Sequence, residues 1–470
     1  MLRHHRAATA RLTIAATTAA AAVLTLTACG SGGPESDGMI TVWTVETQPE
    51  RLAIQQAAMD AWAEESGLET DLVPVEEDQV SQLLSAAALS GEDMPDVVNA
   101  ISPGLVRSFD RDGYLDRDAA AEVVDALGAD TFTPQALELT SDGDELLAVP
   151  SDAWPMMVYY RTDLFEKAGL EPPATYDDLR AAAEELTADG RYGITLSTDA
   201  ADPFTQQTLE FLAQGNGCEL VDDAGEVTLD SPPCTETVEL YGDLAGEFSP
   251  EGSQGVESTR ASYFAGQAAM AVWSSFLLDE MAGLREEFTP SCDECADDPG
   301  WLADHTGVVP VVEGPSAGGD GGDAAGYVEF VSWGITDGAD PETTDFVEYM
   351  MSDAYEDWLA MAPEGKVPVR TGTADNPTEY TDAWSGLEIG VDSRQTFSDV
   401  WPAEVTDTLA AAPESADRWA LPQGQGVILG PITSELPLAK AAADLGSGSV
   451  DAAEAQATMQ EAVAEIAGRD

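Results

Sequence analysis

Apolar and polar positions first fall into register at Met39-Ile40-Thr41-Val42-Trp43, a short buried-strand pattern. From Pro49 to Ser66, Leu52, Gln56, Met59 and Trp62 recur at helical spacing. Glu69 to Val75 alternates like a strand, Asp78 to Leu89 reads as a helix, and Pro95-Asp96-Val97-Val98 as a third strand. The rhythm resumes after Leu147. It predicts a helix over Tyr176–Ala188 and strands at Ala268–Val272, Gly307–Val312 and Val328–Gly334, then helices over Glu342–Met361 and Ser449–Ala467. Strands alternating with helices indicate βαβ units and mostly parallel sheets, an α/β fold. A chain of 470 residues outgrows one core, since single cores stop growing at roughly 250–300 residues.

The N-terminus departs from this rhythm. Arg3, Arg6 and Arg11 precede an Ala-rich apolar run, Leu12 to Leu26, which ends in Leu26-Thr27-Ala28-Cys29-Gly30. Basic residues, a short apolar core and small residues before a cleavage point predict a secretory signal over residues 1–28. The Leu-x-Ala-Cys ending resembles the bacterial lipobox. It makes Cys29 the lipidated first residue of the mature chain, with 29–38 a flexible tether. The body is then expected at the extracellular face of the cytoplasmic membrane. Four cysteines remain in an oxidising compartment, so two disulfides are expected. Proximity favours Cys218–Cys234 and Cys292–Cys295, although three pairings are possible.

Charge excludes one class of partner. With 88 acidic against 19 basic residues, the net charge is −69. Such a surface repels nucleic acid, and the acids run along the whole chain as a solvated coat. Paired carboxylates are therefore too common for spacing alone to mark a catalytic pair.

Catalytic and metal motifs are lacking. His305 is the only histidine beyond the signal, and no Gly-x-Ser-x-Gly or His-Glu-x-x-His occurs. Gly318-Gly319-Asp320-Gly321-Gly322-Asp323 has no Lys and no following helix, so it is a loop and not a phosphate cradle. Asp110-Arg111-Asp112-Gly113 fails as a calcium loop because its Gly comes too early. No cofactor or metal is expected.

Four segments resemble the extracellular solute-binding proteins typified by maltose-binding protein, in that family's order. They are Ile40-Thr41-Val42-Trp43; Gly91-Glu92-Asp93-Met94-Pro95-Asp96-Val97-Val98 followed by Gly113-Tyr114-Leu115; Val149-Pro150 leading to Val158-Tyr159-Tyr160-Arg161-Thr162-Asp163-Leu164-Phe165; and Phe264-Ala265-Gly266-Gln267-Ala268-Ala269-Met270. Arg161 stands where the family usually has Asn, and Tyr176 where Trp is usual. The resemblance implies two α/β lobes joined by hinge strands, crossing near Pro150–Trp154, Val309–Gly314 and Lys366–Thr373. One lobe would be 39–150 with 314–366, the other 151–313 with 367–470. It further implies a monomer that captures a sugar or oligosaccharide in the cleft and delivers it to an ABC permease.

A sugar offers apolar C–H faces and a ring of hydroxyls, so aromatic platforms and short polar groups at strand ends are the candidates. These are Trp43 and Glu46, Asn99, Asp152 and Trp154, Trp273 with Ser274 and Ser275, Trp333, Arg370 and Trp419. Trp62 and Trp358 sit at helical spacing among apolar residues and are expected in the core. Competing readings are a carrier for a polyamine, peptide or other cationic solute, a lipid-anchored glycosidase, and a surface adhesin without a small ligand.

Overall fold

The computed structural model describes residues 38–90, 94–188, 190–318 and 323–469; the signal segment, Cys29 and most of the tether and Gly-rich loop lie outside them. Strand β1 (Met39–Thr44) buries Ile40, Val42 and Thr44 on one face. Helix α1 (Pro49–Ser66) begins at a proline, whose missing N–H costs nothing there, and stops at Gly67 in the left-handed region, φ 78°. Arg51, Gln55, Ala58, Met59 and Trp62 form its buried stripe. Burying side chains of Met59's size is worth roughly 1.5–3 kcal/mol each. Strand β2 (Glu69–Pro74), helix α2 (Glu77–Ser90) and strand β3 (Val97–Ile101) follow, and both β2 and β3 pair with β1 in parallel. Helix α3 (Pro103–Arg111) then packs Val106 and Phe109, with Val80 and Leu84 of α2, into a second core that also holds Val98 and Ile101.

The long strand β4 (Val149–Arg161) makes the architecture two-lobed. Helices α4 (Tyr176–Leu186), α5 (Pro203–Gln214) and α6 (Pro232–Glu247) and strands β5 (Met270–Ser274) and β6 (Thr306–Val309) follow it, and β7 (Gly326–Ile335) returns the chain. The first half of β4, through Pro155, pairs antiparallel with β7; from Met156 onward it pairs with β5 and β6. The ladder changes partners at Pro155, a residue with no N–H to donate. Beyond it, parallel bridges Tyr192–Ala268 and Thr195–Ala271 extend the second sheet region. β7 continues to β3, giving the order β4-β7-β3-β1-β2.

The expected helix Glu342–Met361 is in fact two, α7 (Thr343–Met350) and α8 (Tyr355–Leu359). Ser352 donates its hydroxyl to the Glu348 carbonyl at the break, a local bond that competes with helix propagation. The break also turns Tyr355 and Trp358 onto β4, where Tyr355 Oη donates to the Ser151 carbonyl. A two-residue strand, β8 (Val367–Pro368), pairs with β4 at Asp152 and Ala153, and β9 (Ala416–Asp417) pairs with β7. Helix α9 (Leu429–Glu435) lies on α3, with Leu429 and Gly430 close to Gly104 and Ser108. Helices α10 (Pro437–Gly446) and α11 (Ala452–Ala467) pack on α6. The expected strands at 268–272, 307–312 and 328–334 are present with shifted ends. Disulfides join Cys218 to Cys234 and Cys292 to Cys295.

Candidate functional site

The C-terminal ends of β1 and β2 and the start of α2 enclose a cavity of about 390 Å³, lined by Trp43, Thr47, Val73, Pro74, Val75, Glu76, Gln79 and Leu83. In open α/β sheets ligands bind outside the carboxyl ends of strands, and the parallel β1–β2 pair places this cavity there. Trp43 is half-buried because it lies on the face of β1 opposite Ile40 and Val42. Thr47, Glu76 and Gln79 bring a hydroxyl, a carboxylate and an amide to an otherwise apolar wall. Glu77, the first residue of α2, is exposed. Desolvation there, and then the charges of Glu329, Asp78 and Glu46, push its pKa up to about 7.

Beside this cavity runs a buried polar network. Glu46 accepts from Lys366 at 2.7 Å and from Arg51 at 2.9 Å. Burial alone would raise its pKa; Lys366 and Arg51 overcome that and hold it down to about 2. Lys366 Nζ also lies 3.5 Å from Asp152 and 4.2 Å from the Trp358 ring centroid. Asp152 Oδ1 accepts from Trp358 Nε1 at 2.6 Å and from Ser151 Oγ at 2.7 Å. For Asp152 burial wins, and its pKa is raised despite Lys366. The Arg51 guanidinium also sits 5.0 Å from the centroid of Phe276, just after β5. A Cβ on Gly365 would meet the Phe276 ring at 1.8 Å, so only glycine lets this turn pass beneath it. Trp154 is half-buried between Phe276 and Tyr327, at 6.2 and 6.0 Å.

Of the expected contacts, then, Trp43 lines the cavity, Glu46 and Asp152 join the network, and Trp154 stands beside it. The others turn inward. Asn99 is fully buried, both its amide atoms lack a hydrogen-bond partner among the described residues, and the bulge after it places Ala100 at φ 59°. Trp333, its register partner, is buried against Phe346 and Trp358. Trp273 packs on Phe204 and donates to the Val256 carbonyl. Ser274 accepts from Tyr159 Oη through its carbonyl, and Ser275 is fully buried. Trp419 is buried and donates to the Cys218 carbonyl. Arg370 spends its guanidinium on the Leu127 and Met351 carbonyls and the hydroxyls of Thr131 and Tyr380. A strand-end tryptophan can face either side of its sheet, and here the inner face won for Trp333.

The two family departures are also internal. Arg161 holds Asp163 through two nitrogens and covers Trp301, while Tyr176 Oη bonds the Leu212 carbonyl and Thr237. Arg51, Lys366, Phe276, Glu76 and Gln79 escape a reading built on tryptophans and a few polar groups near strand ends. One signal was available for Lys366: lysines stand only at 167, 366 and 440, and 366 opens the expected third crossing.

A two-lobed α/β chain with crossing strands and a cavity at the strand termini defines a class, the binding proteins that take up a solute between lobes. The match narrows that class: residues 46–357 fit the model of the bacterial extracellular solute-binding protein family, and the chain belongs to that family. It is 29% identical over 341 residues to the ABC transporter periplasmic-binding protein YcjN of Escherichia coli K12, spanning 70% of this chain and 73% of that one. Among solved structures it resembles the GacH receptor of Streptomyces glaucescens (20% identity, TM-score 0.67, 93% of this chain and 100% of that one). It also resembles maltose-bound MalE3 of T. maritima (17% identity, TM-score 0.66, 91% and 99%). The family serves transport and is not one of enzymes. Among the described residues no helix is long and apolar enough to cross a membrane.

Proposed function

We propose that the chain is the extracytoplasmic substrate-binding component of an ABC importer, and that it captures a sugar or oligosaccharide beside Trp43. The cavity carries this reading: one aromatic face for the C–H side of a sugar ring, with Thr47, Glu76 and Gln79 for its hydroxyls, in about 390 Å³. The similar structures with maltose or acarbose bound support the ligand class. Lobes of 39–150 with 314–366 and of 151–313 with 367–470 close on the solute, and Cys29 carries the lipid that keeps a monomeric body near its permease. Glu77, crowded by Glu46 and Glu329, favours a cationic solute as the second reading.

Thermal unfolding of residues 30–470 against mono-, di- and oligosaccharides, with polyamines and peptides as controls, tests this. A ligand at 100 times its Kd stabilises by about 2.7 kcal/mol. A saturable shift with one sugar, recovered intact, is expected, and Trp43→Ala weakens that binding about tenfold, ~1.4 kcal/mol. A shift with polyamines alone moves the assignment to a cation carrier; recovery of cleaved sugar overturns the transport reading.

A further inference from the structure

We propose that Lys366 is a positioning residue: without touching the ligand, it ties the loop that walls the cavity to the strand crossing between the lobes. The proposal deepens the reading of the Trp43 cavity as the ligand site and rests on it. Glu46 sits in the loop between β1 and α1, one residue before Thr47 and three after Trp43, both of which line the cavity. Lys366 is 2% exposed and joins Glu46 to Asp152, which lies on β4 opposite Pro368. Its ammonium is held by Glu46 at 2.7 Å, with Asp152 at 3.5 Å and the Trp358 ring centroid at 4.2 Å. Trp358 in turn donates to Asp152, so the second carboxylate cannot swing away without losing that bond as well.

On its other side the same loop reaches the opposite lobe. The second oxygen of Glu46 holds Arg51, and Arg51 covers Phe276, which is seated above Gly365, immediately before Lys366. The contacts therefore form a closed circuit, Lys366, Glu46, Arg51, Phe276, Gly365 and back to Lys366, to which Asp152 is tied through Lys366. Rotation of one lobe on the other shifts Phe276 relative to Arg51, and the circuit passes that movement to Glu46 and the cavity wall. A buried ion pair alone is weak grounds for stability, but one that bridges two moving bodies has a second use, fixing their register.

Hydrogen exchange on the ligand-free protein tests the tie directly. The Val45 amide donates to the Asn99 carbonyl and the Glu46 amide to Thr44 Oγ1, so both report on the loop. In Lys366→Met these amides are expected to exchange at least about tenfold faster, while those of β5 keep their wild-type rates. Lys366→Arg restores protection in part, and the surface change Lys440→Met leaves it as it was. Asp152→Asn, which keeps the shape and weakens the tie, gives an intermediate rate should Lys366→Met fold poorly. Wild-type exchange at Val45 and Glu46 in both Lys366→Met and Asp152→Asn overturns the proposal, as does an equal acceleration across the whole chain. Maltose serves as a binding probe in parallel, with a weaker Kd expected in Lys366→Met. Should the wild-type protein bind no sugar at all, the ligand reading falls, while the exchange result still decides whether Lys366 ties loop to hinge.

Discussion

Two buried clusters of charged residues flank Arg51 and behave oppositely. In the first, Glu46 is held near a pKa of 2 by Lys366 and Arg51. In the second, Asp279 and Glu280, just after β5, meet Glu364 of the turn before β8. Burial raises Asp279 to about 6, Glu280 to about 8 and Glu364 to about 8, the last with Asp279's charge adding to the effect. Arg51, Arg260 and Arg285 stand nearby and pull the other way, yet both Asp279 oxygens and Glu364 Oε2 have no hydrogen-bond partner among the described residues. Depth of burial does not separate the clusters, since Glu364 is as hidden as Lys366. The number and closeness of cations do. Two cations at 2.7–2.9 Å outweigh desolvation at Glu46, whereas Arg260 alone, at 3.3 Å from Glu280, and guanidinium groups acting through space on Asp279 and Glu364 leave those carboxyls favouring their protons.

The largest effect should come from breaking the paired cluster. Lys366→Met leaves Asp152 without a cation in the interior and is expected to cost about 3–5 kcal/mol in denaturant unfolding. Adding Asp152→Asn should return part of that loss, because the charge left behind is then gone. If the single and double variants are equally unstable, lost packing and not charge is responsible.

The second cluster is probed through pH. A carboxyl whose folded pKa is raised from 4.5 to about 8 contributes stability that is complete below pH 4.5 and lost as pH rises through 8. The wild-type Tm should therefore fall between pH 5 and 8 on account of this group. Glu364→Gln keeps a neutral group there, and at pH 8 it should exceed the wild type by ~1 kcal/mol or more while matching it at pH 5. A variant equally stabilised, or destabilised, at both pH values would show that the Glu364 proton is not what differs.

The smallest change links the two clusters. Phe276→Leu removes the ring under Arg51 and should lower stability by about 1 kcal/mol, read from the denaturant midpoint at constant slope. No change would mean that Arg51 is held by Glu46 alone.

Much of the scaffold was legible along the chain. The alternation in β1 and the helical spacing that places Met59 and Trp62 inside α1 depend on neighbours within a few residues, and both elements formed with nearly the expected bounds. The disulfides Cys218–Cys234 and Cys292–Cys295 join cysteines 16 and 3 residues apart, close enough for proximity to favour them. The α7–α8 break was not legible, because its cause includes Trp358 reaching Asp152, 206 residues away in sequence.

The same division runs through the candidate site. Sequence alone determined the α/β alternation, the family motifs and the list of aromatics able to meet a sugar. Only the tertiary structure decided that Trp43 faces a cavity while Trp333, Trp273 and Trp419 pack inside, since the outcome turns on which side of a sheet each ring leaves and what awaits it there. Only tertiary structure, likewise, brought Lys366 to Glu46. A charge can be read from the chain, but whether it is worth burying depends on a partner within 3 Å, and that partner is supplied by folding.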